Sequence, residues 1–187
     1  MTWPSPLALG AIYGISEFCL ALTRRSRERA ASRDRHSLAI LWGVILAGVW
    51  LSLSSVAWFP RAALVHRRDF YLVGLGLFSF GVILRWYSIW YLGRYFTVDV
   101  SIAAEQRVID SGPYRLIRHP SYTGALLAFL GFGFCLGNWM AILFVMLPIL
   151  GAFLWRIHVE ERALAEGLGD DYRNYMRRTK RLIPWIW

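Results

Sequence analysis

Long apolar runs alternate with short polar segments along this chain, and the first three runs predict membrane-spanning helices. They cover residues 7–22, 37–60 and 70–92. Each approaches or exceeds the ~20 residues that an α-helix needs to cross the hydrocarbon core of a bilayer. Only Glu17 and Arg85 place a charge inside them. The pattern therefore predicts three N-terminal membrane crossings.

The longest apolar run predicts a helical hairpin. Residues 119–155 contain no Asp, Glu, Lys or Arg, and this run is too long for a single crossing. Gly137 and Asn138 interrupt it, and both residue types favour turns and helix ends. We therefore expect crossings near residues 121–136 and 139–158. The complete pattern predicts an all-α integral membrane fold with five transmembrane helices in a single membrane domain, residues 1–187.

The distribution of Lys and Arg predicts the orientation of these helices. If the N-terminus lies outside, the cytoplasmic segments hold 17 of the 21 Lys and Arg residues, and the outer segment 61–69 holds three. An excess of positive charge is typical of cytoplasmic loops. We therefore predict an N-out, C-in topology. Residues 1–92 form three crossings, and residues 93–187 form a cytoplasmic loop, the hairpin and a C-terminal helix.

The composition favours a membrane protein over the other classes. The chain is 57% hydrophobic and only 18% charged, whereas soluble domains carry more charge. The net charge of +9 is confined to short links between apolar runs, which fits membrane lipid better than nucleic acid.

Cys19 and Cys135 lie in apolar runs, so we predict neither a disulfide framework nor a metal site. The glycines of GFGFCLG, residues 131–137, indicate close helix packing.

A polar stretch at the start of the hairpin, RLIRHPSYTG at residues 115–124, is the first candidate for chemistry. Proline disfavours helix in the residue before it, so His119 should be extended and Pro120 should open the next helix. The first turn then presents free N–H groups, which suit a carboxylate or phosphate. Tyr122 adds a ring and a hydroxyl. Gly124 has no side chain and would allow a bound group to come close to the backbone. The alternative is an interfacial belt that only anchors the helix.

The second candidate lies at the end of the last crossing, where residues 155–175 read WRIHVEERALAEGLGDDYRNY. Arg156 and Glu160 are four residues apart and therefore share one helix face at the membrane surface. Glu161 follows directly. The alternative is a plain ion pair on a solvated helix face. His158 and the two acids make a weak metal site, because only one histidine is near.

Four motifs follow one another across residues 92–184. They are GPYRLIRHPSYTG at 112–124, R-x-x-x-EE-x-x-L from Arg156, LGDDYRNYMRR at 168–178, and the Ile183-Pro184 pair. Together they resemble the isoprenylcysteine carboxyl methyltransferase family, and the short chain resembles its prokaryotic members. YFTVDVSI at 95–102 is also similar to the family, although Ser101 stands where eukaryotic members have glutamine.

The resemblance implies a multi-pass membrane enzyme, with residues 93–187 as its catalytic region. It would use S-adenosyl-L-methionine to methylate the carboxylate of a lipophilic, isoprenylcysteine-like or prenylated acceptor that enters from the bilayer. Its pocket would lie on the cytoplasmic face of a prokaryotic inner membrane. Arg156 would hold the acceptor carboxylate, and Glu160 would act in catalysis and in cofactor binding. The implied cofactor contacts are Gln106, Arg107, Val108, Ile109, Tyr114, His119, Pro120, Ser121, Tyr122 and Glu160.

Three other functions fit parts of this sequence. An NADPH-dependent sterol or steroid reductase has a similar membrane core and RHPxY-like turn, but the Glu160-Glu161 pair and LGDDYRNY favour the methyltransferase. A phospholipid N-methyltransferase would need His119 or His158 as a base to deprotonate the amine. A membrane assembly or transport protein would use the polar residues only as anchors.

Two ionisable residues inside predicted crossings, Glu17 and Arg85, are expected to meet. Such residues usually face the protein interior and pair, because an isolated charge is unfavourable in hydrocarbon. Glu17 precedes Arg24 by seven residues and Arg85 precedes Arg94 by nine, so both should lie at similar depths. We predict a pair between the first and third helices, with Arg85 on the acceptor route as the alternative.

Overall fold

The computed structural model describes residues 3–23, 35–96 and 106–186, and this part of the chain contains six α-helices and no β-strand. The helices are α1 (Pro6–Thr23), α2 (Arg35–Trp58), α3 (Arg67–Leu92), α4 (Pro120–Leu136), α5 (Trp139–Gly167) and α6 (Gly169–Arg178). The basic residues 24–34 and most of YFTVDVSI, including Ser101, lie outside the described residues.

Four of the described helices are long and apolar enough to cross a membrane: α1, α2, α3 and α5. The fifth apolar helix, α4, has 17 residues, which give about 25 Å at 1.5 Å per residue. These helices confirm the prediction of an all-α integral membrane fold. Their bounds follow the predicted crossings, except that α5 continues past the predicted end at His158 to Gly167.

The turn between α4 and α5 forms where the sequence predicts it. Gly137 adopts a left-handed conformation with φ of 64°, and its N–H donates to the carbonyl oxygen of Phe134. The Asn138 side chain then caps α5 by accepting hydrogen bonds from the N–H groups of Met140 and Ala141, at 2.9 and 3.3 Å. The two helices therefore form the expected hairpin.

Four glycines bring the backbones of α3 and α4 into direct contact. They are Gly74 and Gly81 on α3, and Gly124 and Gly131 on α4. A Cβ atom on Gly81 would lie 2.4 Å from the backbone nitrogen of Ala128, and one on Gly131 would lie 2.4 Å from the carbonyl oxygen of Gly74. Small residues permit such close packing in membranes. Gly124, expected to allow close approach of a ligand, instead packs against α3.

The helix α2 packs on α5 through small residues in the same way. The hydroxyl of Ser52 is buried and donates to the carbonyl oxygen of Ala141 at 2.8 Å. A Cβ atom on Gly48 would lie 3.3 Å from the carbonyl oxygen of Phe144 and 3.4 Å from the ring of Pro148. The Ser52 hydrogen bond and the close packing at Gly48 hold α2 against α5, on the far side of the bundle from α3.

The helix α1 is tied to α3 near both of its ends. The hydroxyl of Tyr71 donates to the carbonyl oxygen of Pro4. Near the other end, Arg85 donates from Nε and Nη2 to the two carboxylate oxygens of Glu17. The predicted Glu17–Arg85 pair is therefore confirmed. Because α1 is held on its α3 side and α2 on its α5 side, a gap separates α1 from α2.

Candidate active site

A cavity of about 420 Å³ extends from the polar end of the helix bundle into the gap between α1 and α2. We call its first part the polar compartment; it is lined by residues 106–109, the start of α4, the end of α5, and Tyr172 of α6. The second part, the apolar compartment, is lined by α1, α2 and the rings of Phe129 and Phe132. The cavity has the size of small-molecule sites in other proteins, about 300–1,000 Å³.

The cavity brings together ten of the eleven residues that the family resemblance implies. They are Gln106, Arg107, Val108, Ile109, Tyr114, His119, Ser121, Tyr122, Arg156 and Glu160. Pro120 is the exception, because it is buried outside the cavity wall. It occupies the first helical position of α4, and His119 before it is non-helical, with φ of −125° and ψ of 56°. The prediction that Pro120 opens α4 is therefore confirmed, and Pro120 has a structural position. His119 is non-helical but not extended as predicted, because its ψ lies below the extended range.

Arg156 lies where the two compartments meet. Its side chain projects from α5 and is almost completely buried, with 1% of the residue exposed. One Nη donates to the hydroxyl of Ser37, at the start of α2. The next residue on α2, Leu38, already lines the apolar compartment. A guanidinium at the edge of an apolar compartment can bind the anionic end of a lipophilic molecule whose apolar part lies in that compartment.

Glu160 lies one helical turn further along α5, on the polar side of Arg156. The hydroxyl of Tyr122 donates to its carboxylate at 3.1 Å. The Tyr122 ring packs edge-on against Phe153, with ring centroids 5.0 Å apart, and lies 5.7 Å from the ring of His119. The alternative of a solvated helix face is wrong, because Arg156 is buried and Glu160 lines a cavity.

Glu161 has a different position from its neighbour Glu160. Its buried carboxylate accepts from Nε of Arg118 at 2.7 Å and from Nε of Arg181 at 2.9 Å, and it lies 3.3 Å from Nε2 of His119. Adjacent residues on a helix do not face the same way, so only one acid of the pair can line the cavity. Glu161 instead connects α5 to the turn before α4 through Arg118, and to the chain after α6 through Arg181.

Two tyrosines of α6 complete the polar compartment, and the sequence analysis did not identify them. Tyr172 and Tyr175 are three residues apart and share the buried face of α6, a spacing that could have indicated a common role. Tyr175 donates to the carbonyl oxygen of Tyr114 at 2.6 Å. Burial, and secondly the charge of Glu160, raise the pKa of both Tyr114 and Tyr172. These phenols therefore stay protonated, and that of Tyr114 donates to the carbonyl oxygen of Ser88 at 3.2 Å.

The remaining candidates for chemistry lie away from the cavity. His158 is exposed and contacts Arg162 at 3.3 Å between Nε2 and Nη2, so it is not placed to act as a base there. Within the described ranges, no group of three or more His, Cys, Asp or Glu side chains could hold a metal ion. Cys19 is exposed and Cys135 is buried, and both are free thiols.

Sequence comparisons place this chain among membrane methyltransferases. Residues 70–171, which include both motif clusters, match the family model for phospholipid methyltransferases. Protein-S-isoprenylcysteine O-methyltransferase B of Arabidopsis thaliana is 31% identical over 115 residues, 60% of this chain and 58% of that protein. The probable protein-S-isoprenylcysteine O-methyltransferase of Oryza sativa subsp. indica is 29% identical over 190 residues. That alignment covers 98% of this chain and 96% of the rice protein. Of the Arabidopsis relative, in contrast, this chain spans 58%, little more than half.

A solved structure has the same fold. The structure of the eukaryotic intramembrane Ras methyltransferase ICMT (isoprenylcysteine carboxyl methyltransferase), without a monobody, superposes with a TM-score of 0.68 and 22% sequence identity. The superposition covers 97% of this chain and 65% of that one. Protein-S-isoprenylcysteine O-methyltransferases are among the relatives of this chain, as the motif resemblance predicted. Because the family model matches residues 70–171, more than half of the chain, this chain belongs to the phospholipid methyltransferase family.

Proposed function

We propose that this protein transfers a methyl group from S-adenosyl-L-methionine to the carboxylate of a lipophilic, isoprenylcysteine-like acceptor. The observation that carries this proposal is a single cavity in which a polar and an apolar compartment meet at Arg156. The methyl donor is water-soluble and the acceptor is lipophilic, so the reaction needs two adjoining compartments of opposite polarity. The relatives' names support the same reaction type.

The polar compartment fits the methyl donor. The carboxylate of Glu160 offers a negative charge and a hydrogen-bond acceptor to an ammonium or hydroxyl group, and Tyr122 holds it in place. The rings of Tyr114 and Tyr172 offer flat surfaces for a purine. Residues 106–109 form the facing wall, and His119 and Ser121 close the side next to α4. When bound, the donor supplies an electrophilic methyl group on a sulfonium.

Arg156 orients the acceptor in this proposal. A guanidinium can bind a carboxylate through two parallel hydrogen bonds, which fixes the direction of both oxygens. The acceptor needs no general base, because a carboxylate with an ordinary pKa of about 4 is already ionised at neutral pH. The apolar walls from Leu38 onward exclude water from the junction. A dry junction favours reaction between opposite charges.

The protein crosses the membrane five times in this proposal, with its N-terminus outside and its C-terminus inside. The short helix α4 counts as a crossing because its glycine contacts run along α3, from Gly124 to Gly131. The polar compartment lies at the end of the bundle where α1 ends and α2 begins. The sequence that joins these two helix ends is rich in arginine, which favours the cytoplasmic side. The acceptor enters from the bilayer between α1 and α2. We assign the protein to a prokaryotic inner membrane.

The first test measures ligand binding and methyl transfer by the purified protein. We expect saturable binding of S-adenosylhomocysteine and no binding of NADPH by calorimetry in detergent. We also expect transfer of a radiolabelled methyl group to S-farnesyl-N-acetylcysteine, released as methanol after alkaline hydrolysis. The methyl ester of the same acceptor is the matched control, because it lacks a free carboxylate. Saturable NADPH binding without S-adenosylhomocysteine binding would favour the reductase instead.

Phospholipid N-methylation is the second candidate, because the description of the matching family names phospholipids as methyl acceptors and because His119 lines the cavity. An amine acceptor must lose a proton to a base, so the rate would fall as the pH is lowered and the base takes up a proton from solvent. Labelled methyl groups in phosphatidylethanolamine, together with such a fall in rate, would support this reaction. A flat rate and a base-labile methyl ester would support carboxyl methylation.

A further inference from the structure

The chain after α6 returns to the membrane boundary. The carbonyl oxygen of Leu182 accepts a hydrogen bond from the hydroxyl of Thr123 at 2.8 Å. Thr123 lies in the first turn of α4, an apolar helix of the membrane bundle. Residues 179–186, which we call the C-terminal segment, therefore lie at the level where α4 begins.

Large apolar side chains are exposed on this segment. Ile183 is 50% exposed, Trp185 is 82% exposed and Ile186 is 74% exposed. Leu116, 49% exposed, lies beside the start of the segment, because its carbonyl oxygen accepts from the N–H of Lys180. All four residues lie outside the membrane-spanning helices. Tryptophan is enriched where a membrane meets water, since its ring is apolar and its N–H is polar.

Basic side chains surround the same segment. Arg115, Arg177 and Lys180 are exposed, and Lys180 pairs with Ile117 through an isolated β-bridge next to Leu116. Exposed apolar side chains beside Lys and Arg are the combination that binds the surface of a membrane with anionic lipids. The positive charge and the depth of the segment therefore point to one occupant, the phospholipid headgroup layer.

We propose that the C-terminal segment is an interfacial anchor that docks on anionic phospholipid headgroups. Ile183, Trp185 and Ile186 insert at the headgroup level, and Arg177 and Lys180 meet lipid phosphates. This anchor is separate from the catalytic assignment and does not depend on it.

The anchor is fastened to the candidate active site through backbone hydrogen bonds. The N–H of Arg118 donates to the carbonyl oxygen of Lys180 at 2.8 Å, and the N–H of His119 donates to that of Arg181 at 3.1 Å. Arg181 also donates to the buried carboxylate of Glu161. These hydrogen bonds join the segment to the turn that carries His119 into the polar compartment.

The test uses the full chain in lipid nanodiscs, with an environment-sensitive fluorophore on one introduced cysteine. The variant Ile186→Cys reports on the segment, and Arg173→Cys, on the exposed side of α6, is the matched control. Both carry Cys19→Ser, because Cys19 is exposed. We expect headgroup-level spin-labelled lipid to quench the probe at residue 186 several-fold more than the probe at residue 173. Quenching at 186 should increase when phosphatidylglycerol is added to phosphatidylcholine. Arg177→Gln with Lys180→Gln should remove that increase.

Three results would overturn the proposal. A probe at residue 186 that aqueous iodide quenches and lipid does not would mean that the segment points into water. A probe shielded from both quenchers would mean that a protein surface covers it. Equal quenching with and without phosphatidylglycerol would mean that anionic headgroups are not the partner. No methyl donor or acceptor is present, so these results do not depend on the proposed reaction.

Discussion

Replacing Arg156 with alanine removes the buried guanidinium that, in our proposal, binds the acceptor carboxylate. The expected loss can be estimated from its surroundings. The residue is 1% exposed and lies beside the apolar compartment, so water cannot replace its hydrogen bonds to a bound carboxylate. Truncating one partner of a desolvated charge pair costs about 2–5 kcal/mol. Because this site is so well buried, we expect about 3–5 kcal/mol, a loss of about 100-fold to several-thousand-fold in kcat/KM.

The assay measures the effect of Arg156 on the acceptor separately from its effect on binding of the donor. Methyl transfer to S-farnesyl-N-acetylcysteine should fall by this factor in Arg156→Ala, while the affinity for S-adenosylhomocysteine changes little. Arg156→Lys keeps the charge but loses the planar two-pronged contact, so it should recover only part of the activity. Arg162→Ala is the matched control, because Arg162 is an exposed arginine on the same helix. Thermal unfolding in detergent shows whether each variant remains folded.

The reasoning fails if Arg156→Ala keeps normal turnover in a folded protein. It also fails if Arg156→Lys is as active as the unchanged protein, because the arginine would then only attract the acceptor. Equal losses in Arg156→Ala and Arg162→Ala would show that general surface charge, rather than the buried guanidinium, controls the rate.

Three further predictions concern the cofactor wall, the membrane ion pair and the glycine contacts. Glu160→Gln should weaken S-adenosylhomocysteine binding by about 1–3 kcal/mol in calorimetry, because it removes a charged acceptor; unchanged binding would remove Glu160 from the cofactor site. A double-mutant cycle of Glu17→Ala and Arg85→Ala should show a coupling of about 0.5–3 kcal/mol in thermal or denaturant unfolding, and strictly additive losses would contradict the pairing. Gly81→Ala should lower the unfolding temperature, because the new Cβ would meet α4 backbone at 2.4 Å, whereas Gly14→Ala has no atom within 4 Å of its Cβ and should not. Equal unfolding temperatures for these two glycine variants would show that α3 and α4 can move apart at Gly81 without a loss of stability.

The sequence by itself determined the helices, because a bilayer imposes a length and a polarity on every segment that crosses it. Gly137 and Asn138 could be recognised as the hairpin turn from their local chemistry alone. Glu17 and Arg85 could be paired from the sequence for a similar reason, since a charge at that depth needs a partner. The site motifs were also local, because they surround one helix start and one helix end.

Only the tertiary structure decided which role each residue of the site motifs has. Glu160 and Glu161 are neighbours in sequence, yet helix geometry sends one carboxylate into the cavity and the other to Arg118 and Arg181. Ser37 contacts Arg156 across 119 positions of sequence, and no local pattern encodes such a distant contact. The gap between α1 and α2 arises because each helix is held on its other side. A cavity of this kind depends on which helix faces pack together, and hydropathy along one chain does not specify that choice.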